Sequence, residues 1–291
     1  VQVVSAPADM RSRAREARSA GRRIGLVPTM GFLHAGHLAL VAEARRRSDL
    51  VAMSVFVNPL QFAPGEDFSR YPRDLDRDHR LAASAGVDVL WTPRTDEMYP
   101  RPPLVTVSPG PMGERLEGAI RPGHFAGVLT VVLKLFAVAE PDVAVFGRKD
   151  FQQAALIRRM AADLDLPVDI VVAPTVRGGD GLALSSRNLY LGGPERARAT
   201  ALPRALGRGV EVFRAGERRA AAISAAARGV LEDSGGVAID YVECVGPEEC
   251  EPVQLTDERS VLVLAARIDG TRLIDNVVLG RGLEGDGRAD G

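Results

Sequence analysis

Between Ile24 and Leu38 the chain reads Ile-Gly-Leu-Val-Pro-Thr-Met-Gly-Phe-Leu-His-Ala-Gly-His-Leu. The apolar run Ile24 to Val27 suits a buried strand. Pro28, with no N–H and a fixed φ, is expected to end it. From Leu38 the apolar residues recur at helical spacing through Val41, Ala42 and Ala44, which predicts a helix from about His37 to Arg47. The unit is therefore strand, glycine-bearing turn, helix. Such a turn puts backbone N–H groups and the positive end of a helix dipole at the carboxyl edge of a sheet, a place that suits a phosphate. His34 and His37 are three residues apart, so both can face one ligand and donate to its oxygens. A zinc-binding pair would want further ligands, and Met30 to Leu40 offers no Cys, Asp or Glu.

The rest of the chain repeats the alternation. A basic amphipathic helix is expected over Met10 to Arg22. Strands are expected at Asp49–Asn58, Val87–Trp91, Val143–Phe146 and Val168–Ala173. Helices are expected over Leu75–Ala85, Phe125–Ala139 and Phe151–Ala162. Strands alternating with helices predict an α/β fold, a Rossmann-like doubly wound parallel sheet whose carboxyl-edge loops bind ligands. After Ala173 the style changes to Ala/Arg-rich helices over Pro194–Gly216 and Glu217–Glu232. Strands follow at Val237–Cys244, Val261–Ile268 and Thr271–Val278, the last two joined by an Asp269-Gly270 hairpin signal. This predicts a first domain over residues 1–175 and a smaller C-terminal α+β domain over 176–291. The Gly- and charge-rich tail, residues 280–291, is expected to be disordered.

A net charge of −1 argues against a general nucleic-acid or membrane surface. No stretch has the length of a membrane span, and Val1 to Arg23 has no apolar core of signal-peptide length. Cys244 and Cys250 read as reduced thiols. Together these features lead us to expect a cytoplasmic location. Lysine occurs only at 134 and 149, and Lys149 falls where a strand ends and a helix starts, a place from which it can meet phosphates. Other polar residues at strand ends admit both ligand binding and local structure. Asn58 and Gln61 follow the second apolar run. Asp74, Asp76 and Asp78 can cap a helix or approach a metal. Arg121 and His124 can face an anion or cap a helix.

His34-Ala35-Gly36-His37 resembles the signature of the HxGH nucleotidyltransferases. Val27-Pro28-Thr29-Met30-Gly31 and the segments around Arg121, Phe146-Gly147-Arg148-Lys149-Asp150 and Leu184-Ser185-Ser186-Arg187 resemble the pantoate–β-alanine ligase family. The resemblance implies condensation of (R)-pantoate with β-alanine through pantoyl adenylate, with ATP as a substrate and Mg2+. It also implies a homodimer with no nucleic-acid or membrane partner. It assigns catalysis to His34, His37 and Lys149. ATP binding is assigned to Met30, Gly31, Phe32, Leu33, His34, Ala35, Gly36 and His37, to Gly147, Arg148, Lys149 and Asp150, and to Val176, Leu184, Ser185, Ser186 and Arg187. Gln61 and Gln153 are assigned to pantoate and Asp78 to the metal. The second domain, with its glycine-rich Gly178–Gly181 stretch, would act as a lid. Two positions depart from the family pattern: Arg77 and Arg148 stand where an acid is usual. Two alternatives remain at this point, a cytidylyltransferase and a non-catalytic nucleotide-binding module.

Overall fold

The computed structural model describes residues 1–289, and their contacts divide into two units. The first comprises Val1–Gly147 and Leu156–Ala173; the second comprises Arg148–Ala155 and the chain from Pro174 onward. The boundary therefore lies slightly before the expected one. The short stretch after the fifth strand, which was expected to stay with the first domain, sides with the second.

The first unit holds β1 (Gln2–Val4), α1 (Pro7–Ser19), β2 (Ile24–Thr29), α2 (Ala35–Arg45), β3 (Leu50–Val55), α3 (Leu75–Ser84) and β4 (Val89–Trp91). The one-turn helices α4 (Thr95–Met98) and α5 (Glu117–Ile120), the long α6 (His124–Ala139), β5 (Val143–Gly147), α7 (Phe151–Asp163) and β6 (Asp169–Ala173) follow. Six parallel strands form one sheet in the order β1-β4-β3-β2-β5-β6. From β2 the chain builds outward through β3 and β4, then returns to add β5 and β6 on the other side. The order reverses between β2 and β5, and open sheets of this kind bind ligands at the carboxyl ends there. The turn bearing both histidines leaves β2 at this point, and Gly147 ends β5 there.

Pro28 does not end β2, which runs on to Thr29 in register with Pro28 opposite Ser54. The Thr29 carbonyl accepts from the Phe56 N–H of the β3 side, so alternation turns Pro28 toward β5. The β2–β5 ladder has already ended at Leu26, so the missing N–H has no ladder partner to lose. Val27, Leu33, Val41, Met53, Leu90 and Val145 lie in the core of this unit. Gly127 of α6 meets the 3-10 turn Pro59–Gln61 that follows β3. A Cβ there would lie 2.2 Å from the Leu60 carbonyl oxygen.

The second unit starts with the 3-10 turn Arg148–Asp150 and the first turn of α7. It continues with β7 (Val176–Arg177), α8 (Gly193–Ala199), α9 (Ala201–Arg214), α10 (Ala220–Asp233), β8 (Val237–Val245), β9 (Val261–Ile268) and β10 (Thr271–Val278). The last three strands form an antiparallel sheet in the order β10-β9-β8, and α9 and α10 supply Leu202, Leu206, Ile223 and Leu231 to its core. Asp269 and Gly270 both have positive φ, as the hairpin signal predicted.

The tail differs from expectation. Leu283–Gly285 form a 3-10 turn, and Gly287–Arg288 form β11, which pairs in parallel with β7. The segment is held by hydrogen bonds from Gly287 N–H to Thr175 O and from Ala289 N–H to Arg177 O, and by the buried side chain of Asp286. The expectation of disorder for residues 290 and 291 falls outside the described residues. Among the described residues no helix is long and apolar enough to cross a membrane.

Gly127→Ala should move α6 off the Pro59–Gln61 turn, at a cost of about 2–3 kcal/mol from overpacking against backbone. Trp91, the single tryptophan, is buried in the first unit and reports its unfolding in urea by fluorescence. An unshifted midpoint would contradict the close approach.

Candidate active site

The turn after β2 is built on two consecutive left-handed residues, Gly31 (φ 84°) and Phe32 (φ 50°). A Cβ on Gly31 would lie 2.8 Å from Val55 Cγ1 and 2.9 Å from Asp78 Oδ2, so only glycine fits. Asp78, on the first turn of α3, is 1% exposed. Its Oδ2 accepts from Phe32 N–H at 2.8 Å and its Oδ1 accepts from Leu33 N–H at 2.7 Å. Burial pushes the Asp78 carboxyl up; the two N–H bonds and the Arg77 charge oppose this. The Arg77 guanidinium lies 4.6 Å from the centre of the Phe32 ring. Thr29 Oγ1 donates to Ser54 O and accepts from Gly31 N–H. The turn is thus fixed from α3, β3 and its own entry.

The turn delivers His34 to the N-cap of α2 and His37 to its first turn, with ring centroids 4.0 Å apart. His37 Nδ1 accepts from His34 N–H at 3.3 Å. A ring nitrogen that accepts carries no proton, so the neutral His37 ring holds its proton on Nε2. His37 Nε2–H is therefore a donor at the positive end of a helix. The zone suits an anion from its backbone as well as from its side chains.

Asp78, expected as a metal ligand, instead points both oxygens at backbone N–H groups of the turn. Among the described residues no group of three His, Cys, Asp or Glu side chains is placed to hold a metal ion. The donor set at Asp78 fits an anchor and does not fit a protein-built Mg2+ site.

Gln61 is buried at the end of its 3-10 turn, and its amide orientation is set by neighbours. Asn58 Nδ2 donates to Gln61 Oε1 and to Gly127 O, both at 3.1 Å. Asn58 Oδ1 accepts from the Tyr99 hydroxyl at 2.9 Å, and burial raises the Tyr99 pKa. With Oε1 engaged, the Gln61 Nε2 amide group faces Met30 Sδ at 3.2 Å. Asn58, which spacing left open between turn and ligand, orients this glutamine.

Arg121 and His124 act on the same turn from the other side. Arg121 pairs with Glu66 at 2.7 Å and donates to Gln61 O. His124 Nδ1 meets Gln61 O at 2.9 Å, and its Nε2 lies 3.0 Å from Arg121 Nη1. A guanidinium can only donate, so Nε2 accepts and Nδ1 carries the proton to the carbonyl. Burial, and then the Arg121 charge, push the His124 pKa down to about 4. Both residues, left open in the sequence between an anion contact and a helix cap, hold the backbone of Gln61.

In the second unit Lys149 is part-buried, with Nζ 3.2 Å from Asp150 Oδ1. Asn276 Nδ2 donates to the carbonyls of Arg148 (2.9 Å) and Lys149 (3.0 Å) and so pins their turn. Gln153 is half-buried in the first turn of α7. Val176 N-terminal to Arg177 begins a hairpin. Leu184 N–H donates to Val176 O, Gly178 N–H to Leu182 O, and Gly181 N–H to Gly178 O. The glycines expected to give a free segment close this turn, with Gly181 at φ 80°. Ser185 Oγ caps the 3-10 turn Ser186–Tyr190 by accepting from Arg187 N–H. Gly147 ends β5 beside Leu40 of α2.

The His124 environment gives a pH signature. The neutral ring is favoured on folding, so this stabilisation is complete above pH 6.5 and is lost as pH falls toward about 4, on the order of 3 kcal/mol. Urea midpoints read by Trp91 should fall over this range in the parent chain and fall less in His124→Asn. Parallel profiles would contradict the assignment.

Comparison with known proteins agrees with this geometry. The family model described as pantoate-beta-alanine ligase matches residues 2–278. Pantothenate synthetase of Geobacter sulfurreducens is 49% identical over 96% of this chain and 99% of its own. The crystal structure of pantothenate synthetase from Thermus thermophilus superposes with a TM-score of 0.91 at 45% identity, covering 96% of this chain and 99% of that one. Pantoate-beta-alanine ligase from Francisella tularensis, crystallised with beta-gamma ATP and beta-alanine, gives 0.79 at 32% identity over 97% and 99% of the two chains. A match that spans nearly the whole chain, with the two histidines held at the carboxyl edge of a doubly wound sheet, places this chain in the pantoate–β-alanine ligase family, and it is a ligase.

Proposed function

We propose that this chain condenses (R)-pantoate with β-alanine in two steps driven by ATP. In the first, a pantoate carboxylate oxygen bonds to the α-phosphorus and pyrophosphate leaves with the electron pair of the broken P–O bond. In the second, the β-alanine nitrogen attacks the acyl carbon, gives up a proton, and AMP departs as the acyl–oxygen bond breaks. The observation that carries this reading is the fixed orientation of His37, a donor at the N-terminus of α2 in a turn locked by Asp78. Charge grows on phosphate oxygens in the first step, and preorganised donors stabilise it without reorganisation. In this reading His34, His37, the turn Met30–Gly36, Gly147, Lys149 and Asp150 serve the phosphates, while Arg148, buried against Asp286, holds the turn without touching ATP. Ser185, Ser186 and Arg187 add hydroxyls and a guanidinium. Gln61 and Gln153 serve pantoate. Mg2+ enters with the nucleotide as its salt, since Asp78 is committed to the turn. Family membership disfavours the cytidylyltransferase and the non-catalytic module. It is also the support for a cytoplasmic homodimer, which the proposal includes.

No protein nucleophile is needed. The site has to align carboxylate and phosphorus and keep water from the acyl adenylate. The Gly178–Gly181 hairpin carries the Leu184–Arg187 segment, and movement of this hairpin over bound nucleotide is the form that the expected lid takes here.

His37→Ala and Lys149→Ala should each slow pantoate-dependent pyrophosphate release by about a hundredfold or more, the loss of about 3 kcal/mol of charge stabilisation. Release at the parent rate in either folded variant would sink the assignment. Gln61→Ala should weaken pantoate binding far more than ATP binding, because a site built to hydrogen-bond a hydroxyl is left with unpaired groups. Calorimetric titrations showing equal losses for both ligands would argue against that role.

A further inference from the structure

The family match ends at residue 278, yet the chain beyond it reaches into the interior of the second unit. Asp286 sits between the turn Leu283–Gly285 and β11, with its side chain 2% exposed. One carboxylate oxygen accepts from Arg177 Nε at 2.7 Å, and the other accepts from Arg148 Nη2. Both Asp275 oxygens are taken by Arg177, at 2.7 and 3.0 Å. Asp286 is thus the carboxylate that meets the buried Arg148. The chain order gives this pairing its consequence. Arg148 immediately precedes Lys149, and Arg177 opens the hairpin that ends at Leu184.

We infer that Asp286 is a positioning residue for the phosphate-binding arm of the second unit, and that the tail is a strap which fixes Lys149 and the Val176–Leu184 hairpin in one arrangement. The inference rests on the adenylation reading above. Two guanidinium groups and two carboxylates balance in this cluster. Without Asp286 a cation stays buried and uncompensated beside Lys149, and a buried charge in that condition moves toward solvent and takes its backbone with it. Gly287 and Ala289 N–H bonds to the strand of Arg177 hold the strap in register, and Leu283 packs against the core on α9. The Asn276 bonds to the carbonyls of Arg148 and Lys149 fix their backbone, whereas Asp286 fixes the charge.

The test uses the full chain, Asp286→Asn, Arg148→Gln, the double variant, and a chain ending at Gly280. ATP and pantoate binding are measured by calorimetry, and kcat and KM by pyrophosphate release. Asp286→Asn and the shortened chain should lose about tenfold or more in ATP affinity and in kcat/KM for ATP, with pantoate affinity within about twofold of the parent. Arg148→Gln/Asp286→Asn should recover most of that loss, because the remaining Arg177–Asp275 pair is balanced. Parent-like ATP affinity in Asp286→Asn, equal losses for ATP and pantoate, or a double variant no better than the single would overturn the inference. If Asp286→Asn does not fold, the double variant decides: folding and ATP binding regained support the pairing, and failure to regain them rejects it. A parent chain that binds ATP without releasing pyrophosphate would overturn the adenylation reading, while the binding titrations would still judge the strap.

Discussion

The carboxylate of Asp78 accepts two backbone N–H groups from the turn between β2 and α2, and the candidate site of the first unit depends on that pair of bonds. The turn could not keep its shape unaided. Phe32 is a bulky residue with positive φ, and such backbone persists only where its surroundings over-determine it. Asp78 ties the peptide groups on either side of Phe32, Arg77 covers the ring, and Gly31 leaves room for the carboxylate. The consequence reaches His34 and His37, whose position at the start of α2 follows from where the turn ends. A carboxylate used this way is an anchor for donors, and it supplies negative charge to hold N–H groups that would otherwise be buried without a partner.

A similar logic governs the rest of the site. Side chains that the proposal assigns to substrates are held by side chains that it does not. Gln61 is oriented by Asn58, which is itself oriented by Tyr99, and the Gln61 carbonyl is held by Arg121 and neutral His124. In the second unit, Asn276 and a four-member ion network hold the Lys149 turn and the start of the hairpin. Ion pairs buried this deeply add little net stability, but losing one partner is costly, so they select a single arrangement over its neighbours.

Much of this was legible in the sequence because it is periodic. Buried parallel strands appear as apolar runs, amphipathic helices follow at helical spacing, and Asp269-Gly270 marks a hairpin by its need for positive φ. The place of the His34–His37 pair was legible because strand, glycine turn and helix start fix where such a pair must stand. What escaped reading depended on contacts distant in sequence. Pro28 stays in β2 because the neighbouring ladder has already stopped, which no local pattern tells. An acid near a helix start looks the same in sequence whether it faces a cation or two N–H groups, and Asp78 accepts two N–H groups. Arg121 and His124 stay open between an anion contact and a helix cap until Glu66 and the Gln61 carbonyl are beside them. The tail read as disordered from its glycines and charges, yet Asp286 and the two tail N–H groups find partners more than a hundred residues away in the case of Arg148 and Arg177.

The central claim is that these donors promote transfer of an adenylyl group to pantoate. It is tested most directly by mixing the purified chain, at substrate-like concentration, with ATP, Mg2+ and pantoate while leaving β-alanine out, and measuring pyrophosphate and AMP. The account predicts a burst of pyrophosphate stoichiometric with enzyme and dependent on pantoate, with AMP appearing in solution once β-alanine is added. Absence of pyrophosphate until β-alanine is present, or formation of ADP and phosphate, would contradict it.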